Sequence, residues 1–145
     1  MSANTLSTKK IALIGFGEAA NAFVFGWALD DPDRIVGYDA KIVDPTTSAE
    51  MTARFERAGV AGSNAPHAAL MDATFVFSEV TEEQAFAAAQ TGAVGVQKGA
   101  FWFDCNSCAP DINRYESEVV EAASGRYVDV AVMVPVHPKL HHVPL

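Results

Sequence analysis

Four apolar residues, Ile11-Ala12-Leu13-Ile14, run straight into Gly15-Phe16-Gly17-Glu18-Ala19-Ala20, and a stretch rich in Ala, Phe and Trp follows as far as Leu29. A short unbroken apolar run suits a strand covered on both faces. The segment from Glu18 to Leu29 reads as a helix, with Asp30-Asp31-Pro32 as its stop signal. A buried strand joined by glycines to a helix opens a βαβ unit, whose next strand is expected to lie parallel to the first.

The alternation continues along the chain. Arg34–Asp39 reads as a second strand, and Thr47–Ala58 as a helix started by Thr46, Thr47 or Ser48 and ended by Gly59. Val60-Ala61 is a short third strand, and Ala65–Met71 a helical turn. Thr74–Val80, rich in β-formers, is a fourth strand, followed by an Ala-rich helix from Thr81 to about Ala93. Phe101–Phe103 is a fifth strand. Pro110 stands at the first turn of a helix running to about Ala123 and ended by Gly125, and Tyr127–Met133 is a sixth strand. Residues 10–133 thus predict one α/β domain: a Rossmann-type, doubly wound, mostly parallel six-stranded sheet with helices on both faces. Residues 1–9 are expected to be a flexible terminus, and the Pro- and His-rich residues 134–145 an irregular tail.

Gly15–Ala20 fits G-x-G-x-x-A at the one place where that pattern has meaning, between the first strand and the first helix. Gly15 permits the tight turn, and Gly17 lets the backbone approach a pyrophosphate. Ala20 is small enough for close helix–strand packing. The amides at the helix start, with Phe16, Glu18 and Ala19 around them, then face the anion. The expected ligand is NAD or NADP. Asp39, 24 residues after Gly15, stands where an acid holds the adenosine ribose hydroxyls, which favours NAD. Lys41 offsets that preference, and the other reading of Asp39 is a plain cap on the strand end.

Four stretches in this order, Ile11–Gly17, Val80-Thr81, Asp104–Pro110 and Tyr127–Val132, resemble the N-terminal domain of the β-hydroxyacid dehydrogenases. That family includes 3-hydroxyisobutyrate dehydrogenase and 6-phosphogluconate dehydrogenase. The resemblance implies an oxidoreductase that transfers a hydride between a nicotinamide cofactor and a small hydroxy acid. It places Val80 and Thr81 along the nicotinamide side of the cofactor, with a plain helix cap as the other role for Thr81. Asn106 and Ser107 match the polar pair beside substrate and nicotinamide, and both residue types also cap helices well. Two departures point to an atypical branch. Where the family has S-G-G for substrate, this chain has Met133, Val134 and Pro135. The family's catalytic lysine, in a helical C-terminal domain that often mediates dimerisation, has no counterpart here. The catalytic group is therefore unassigned, the tail is expected to lead into that absent domain, and a homodimer is possible.

The formal charge of −8 argues against nucleic acid and anionic membranes as partners. No apolar run is long enough to span a bilayer, and residues 1–10 lack the apolar stretch of a secretory signal, so a cytoplasmic location is expected. Cys105 and Cys108 form a lone C-x-x-C, too few ligands for a metal site, so none is expected. As a thiol pair they would be activated at Cys108, where a helix start should lower the pKa. The rival to an enzyme is a non-enzymatic dinucleotide-binding or redox-sensing module.

Overall fold

The computed structural model describes residues 9–29 and 31–133, and, further on, 137, 139 and 142. Of the flexible terminus expected for residues 1–9, residues 1–8 lie outside the described residues, as does most of the tail after 133. Six strands form one parallel sheet: β1 (Lys10–Ile14), β2 (Ile35–Tyr38), β3 (Ala61–Gly62), β4 (Ala73–Ser78), β5 (Phe101–Asp104) and β6 (Arg126–Asp129). Their spatial order is β3-β2-β1-β4-β5-β6, the doubly wound arrangement expected from the sequence. The helices are α1 (Glu18–Trp27), α2 (Ser48–Ala58), α3 (Pro66–Leu70), α4 (Glu82–Ala93) and α5 (Pro110–Ala122).

The alternation of β1 explains the two layers of helices. Ile11 and Leu13 join Phe16, Ala20, Val24, Met51 and Phe55 on the α1–α2 face. Ala12 and Ile14 join Leu70, Ala89, Trp102 and Val120 on the face of α3, α4 and α5. Phe55 shows how closely α2 approaches the sheet. A Cβ on either of the paired strand residues Gly37 and Gly62 would meet its ring, at 2.5 and 2.9 Å. Half-buried phenylalanines line the α1 face of β4 and β5, where Phe75, Phe77, Phe101 and Phe103 contact one another ring to ring.

Several boundaries differ from expectation, each for a reason in the backbone bonding. The sixth strand ends at Asp129, not Met133. Val130 makes the last ladder bond, to the Asp104 carbonyl at 2.8 Å, and β5 then turns away through Cys105, whose amide bonds to Ser78. The fourth strand stops at Ser78. The Glu79 amide still donates to Ile14, but the Val80 amide leaves the sheet for the Asn106 side chain. The second strand omits Arg34, which closes a 3₁₀ turn, and Asp39, which opens another. α1 ends two residues early, where Ala28 takes positive φ and bonds back to Val24. The third strand slips by one because Val60 seals α2 by bonding to Phe55. At the end of α5 the left-handed residue is Ser124 (φ 69°), not Gly125. Gly125 bonds to the Val120 carbonyl one position later, and its missing side chain leaves room for Val96 and Val120.

Candidate functional site

All six strands point their carboxyl ends to one edge, and the strand order reverses between β1 and β4 there. Such a switch point opens a crevice between the loops. Two cavities lie at it, one on each side of the glycine turn. The first, about 260 Å³, is lined by Gly15, Tyr38, Asp39, Ala40, Val80 and Gln84 among others. The second, about 390 Å³, is lined by residues including Gly17, Glu18, Glu79, Asn106, Ser107 and Val132. A larger cavity of about 530 Å³ lies between the carboxyl-terminal ends of α1 and α2. Helices here run opposite to the strands, so that cavity opens at the far edge of the sheet, away from the crevice.

The two glycines of the turn are not equivalent. Gly15 has φ +89°, and a Cβ there would lie 2.2 Å from the Glu79 carbonyl oxygen. It is required by the fold. Gly17 has ordinary negative φ, and nothing lies within 4 Å of where its Cβ would be. The protein itself leaves that space open. α1 begins directly behind it, and no side chain caps its first turn. Amides at an uncapped helix start, with open space before them, suit an anionic group. Among the residues expected to touch a ligand here, Phe16 offers backbone only: its side chain is fully buried and stacks on Phe55 at 4.6 Å.

Asp39 fulfils its capping role and adds a second one. One carboxylate oxygen accepts from the Lys41 amide at 2.9 Å, closing the 3₁₀ turn at residues 40–42. The other accepts from the Phe16 amide at 2.9 Å, 23 residues away in sequence, and so pins the glycine turn to the end of β2. Each oxygen keeps a lone pair for a further donor. Tyr38 beside it has its hydroxyl pKa raised by burial and by the Asp39 charge.

Asn106 is buried and its side chain is engaged internally. Its Oδ1 accepts from the Val80 amide at 2.7 Å, and its Nδ2 donates to Ser78 Oγ at 3.1 Å. It therefore fixes the loop after β4 against the loop after β5. Ser107 is exposed at the rim, and so is Thr81. Neither Asn106 nor Ser107 caps α5, whose cap position is Ala109; the Ala109 amide donates to Glu82 instead, at 3.1 Å. Thr81 stands at the cap position of α4 without a side-chain bond. Met133 is exposed, while Val134 and Pro135 lie outside the described residues.

Acids that sequence reading passed over dominate the electrostatics. Both carboxylate oxygens of Glu79 are sealed from solvent without a hydrogen-bond partner, and burial raises its pKa to about 8. Its sequence setting, inside a strand-like run, gives no hint of this. Beneath Asn106, Asp104 accepts from the Asn106 amide and from the Tyr127 hydroxyl. The fully buried Glu116 lies near it, its pKa raised to about 9 by burial and by the neighbouring Asp104 carboxylate, so Glu116 holds its proton at neutral pH. The expected activation of Cys108 is reversed: burial, then the nearby acids led by Asp104, push it up to about 11. Burial and Glu79 push Cys105 to about 12, and both thiols are free.

The architecture and the two-sided glycine turn define a Rossmann-type domain. No family model matches the sequence, and no curated protein matches it. Among solved structures, a conserved hypothetical protein from Sinorhizobium meliloti shares 31% identity at a TM-score of 0.87, over 94% of this chain and 46% of that one. The Mycobacterium tuberculosis 3-hydroxyisobutyrate dehydrogenase superposes at 0.69 with 19% identity, over 89% and 42%. An imine reductase from Myxococcus stipitatus, solved with NADP⁺ and as a variant with NAD⁺, superposes at 0.65 with 12% identity in the NADP⁺ form, over 86% and 41%. The chain spans less than half the length of each of these structures. In fold it is similar to one domain of 3-hydroxyisobutyrate dehydrogenase-like and imine reductase-like proteins, and the resemblance read from the sequence holds at that level. No helix among the described residues is long and apolar enough to cross a membrane.

Proposed function

We propose that this chain is the NAD(P)-binding domain of an oxidoreductase that transfers a hydride between a nicotinamide cofactor and a small hydroxy acid. The observation that carries the reading is the open space at Gly17, before the uncapped start of α1 and between two cavities. The pyrophosphate rests on the amides of Gly17, Glu18 and Ala19. The adenosine lies against Tyr38, Asp39 and Ala40, where the carboxylate of Asp39 accepts from ribose hydroxyls and repels a 2′-phosphate, which favours NAD. The nicotinamide end lies in the second cavity against Val80 and Asn106, near Thr81, with Ser107 at the rim toward substrate. The bound nicotinamide supplies the hydride chemistry; the chain's own part is to hold and orient.

Among the described residues, no lysine, arginine or histidine lines the cavity beside Gly17. That favours a second reading, a dinucleotide-binding or redox-sensing module without a catalytic lysine. Fluorescence titration of the chain with NADH and with NADPH tests the first step. Micromolar NADH binding that is lost in Gly17→Val supports the cofactor reading; failure to bind either nucleotide refutes it. Turnover of hydroxy acids with added nicotinamide cofactor separates enzyme from sensor.

A further inference from the structure

We propose that Glu79 makes this site sensitive to the redox state of its nicotinamide: as a carboxylate it pairs with the cationic oxidised ring, and as a neutral acid it sits beside the reduced ring. The inference rests on the cofactor reading above and deepens it.

The placement follows from topology. A dinucleotide whose adenosine lies by Asp39 and whose pyrophosphate crosses Gly17 has its other end in the cavity lined by Glu79, Val80, Cys105 and Asn106. Glu79 follows β4 directly, across the switch point from β1; its amide bonds to Ile14 and its carbonyl faces Gly15. The backbone is thus held on two sides, and the residue lines the cavity from a fixed root, with its carboxyl sealed behind the cavity wall. Its two oxygens are sealed and unpartnered. A buried carboxyl without a donor is a costly arrangement, and one that lines a cleft is a candidate for a role toward a ligand.

The other ionisable groups around it give no alternative counter-charge. From α1 comes Glu18, from α4 Glu82, and from the loop after β5 Cys105, with Asp104 behind it. His137 stands 3.9 Å from Glu18, on the exposed side. Among the described residues no lysine, arginine or histidine lines the cavity, and the positive charge that draws Glu79 into its ionised form is the ligand's own. The reduced ring is neutral and brings none. Burial holds the acid protonated up to about pH 8. Binding of the oxidised cofactor below that pH therefore expels one proton from Glu79 to solvent, and binding of the reduced cofactor expels none.

The experiment is isothermal titration of the chain with NAD⁺ and with NADH from pH 6 to 9, in buffers of differing ionisation enthalpy. For a group titrating near 8, mass action gives NAD⁺ an affinity that rises about tenfold or more between pH 6 and 8.5, with proton release, while NADH changes by less than about threefold. Glu79→Gln flattens the NAD⁺ profile; Glu56→Gln, at an exposed position of α2, keeps the rise. Equal pH profiles for the two forms in the wild-type chain overturn the inference without any variant, as does a rise that survives Glu79→Gln. If neither form binds at any pH, the cofactor reading itself falls, and this inference with it.

Discussion

Gly15 and Gly17 stand two residues apart, yet substitution should separate folding from binding. In Gly15→Ala the new methyl must adopt φ +89° and would lie 2.2 Å from the Glu79 carbonyl oxygen and 2.8 Å from its carbonyl carbon. Left-handed backbone costs a non-glycine residue about 1–2 kcal/mol, and forcing a methyl into packed structure about 1–3 kcal/mol. Together that is about 2–5 kcal/mol, and at roughly 3 °C per kcal/mol for a domain of this size Tm falls by about 10 °C. In Gly17→Val the side chain enters open space at ordinary φ. The only folding penalty is the poor cap preference of valine, about 1 kcal/mol or less, and Tm stays within about 3 °C. Its nucleotide affinity instead falls at least tenfold, because the branched side chain occupies the approach to the helix-start amides. Differential scanning fluorimetry reads the first effect and NADH fluorescence the second. A Gly15→Ala protein that melts like wild type, or a Gly17→Val protein that binds like wild type, would refute the division of roles.

Glu116 has its pKa raised in the fold, so folding takes up a proton between about pH 4.5 and 9 and stability falls as pH rises through that window. Glu116→Gln should flatten the decline and gain about 1–3 kcal/mol at pH 8 over wild type, read by chemical denaturation at pH 6 and 8. Asn106→Ala leaves the Val80 amide and the Ser78 hydroxyl without their partner, at a cost of about 1–3 kcal/mol, measured by the same method. Both cysteines should alkylate more slowly than a cysteine peptide at pH 7.5, and thiol titration under denaturing conditions should count two free thiols; fast labelling of Cys108 would contradict its raised pKa.

What the sequence made legible was local. Ile11–Ile14 is apolar on both faces because the sheet is covered on both, and an unbroken run records that directly. The glycine turn, Asp39 at the end of β2 and Pro110 at the start of α5 follow from backbone requirements that one or two residues satisfy. What stayed hidden depends on partners distant in the chain. Asn106 reads as a ligand-facing residue, yet its acceptor role toward Val80 spans 26 positions and belongs to no motif. Glu79 continues a β-like run, and its burial arises only when the Gly15 turn and the loop after β5 close over it. Tyr127–Met133 has the composition of a long strand, but β5 supplies backbone partners only as far as Asp104. The third strand and the left-handed residue after α5 each lie one residue from where the sequence places them, because a helix ending takes the position.

The double duty of Asp39 has a consequence for redesign. Removing its charge is the obvious way to admit a 2′-phosphate, but the same carboxylate holds the Phe16 amide and closes the turn at Lys41. On the cofactor reading proposed above, preference and turn geometry run through one side chain, and a single replacement there trades selectivity against rigidity. Asparagine keeps an acceptor for only one of the two amides. An engineered switch would need a second change that anchors Phe16 independently, so the route from one cofactor to the other runs through at least two coupled steps.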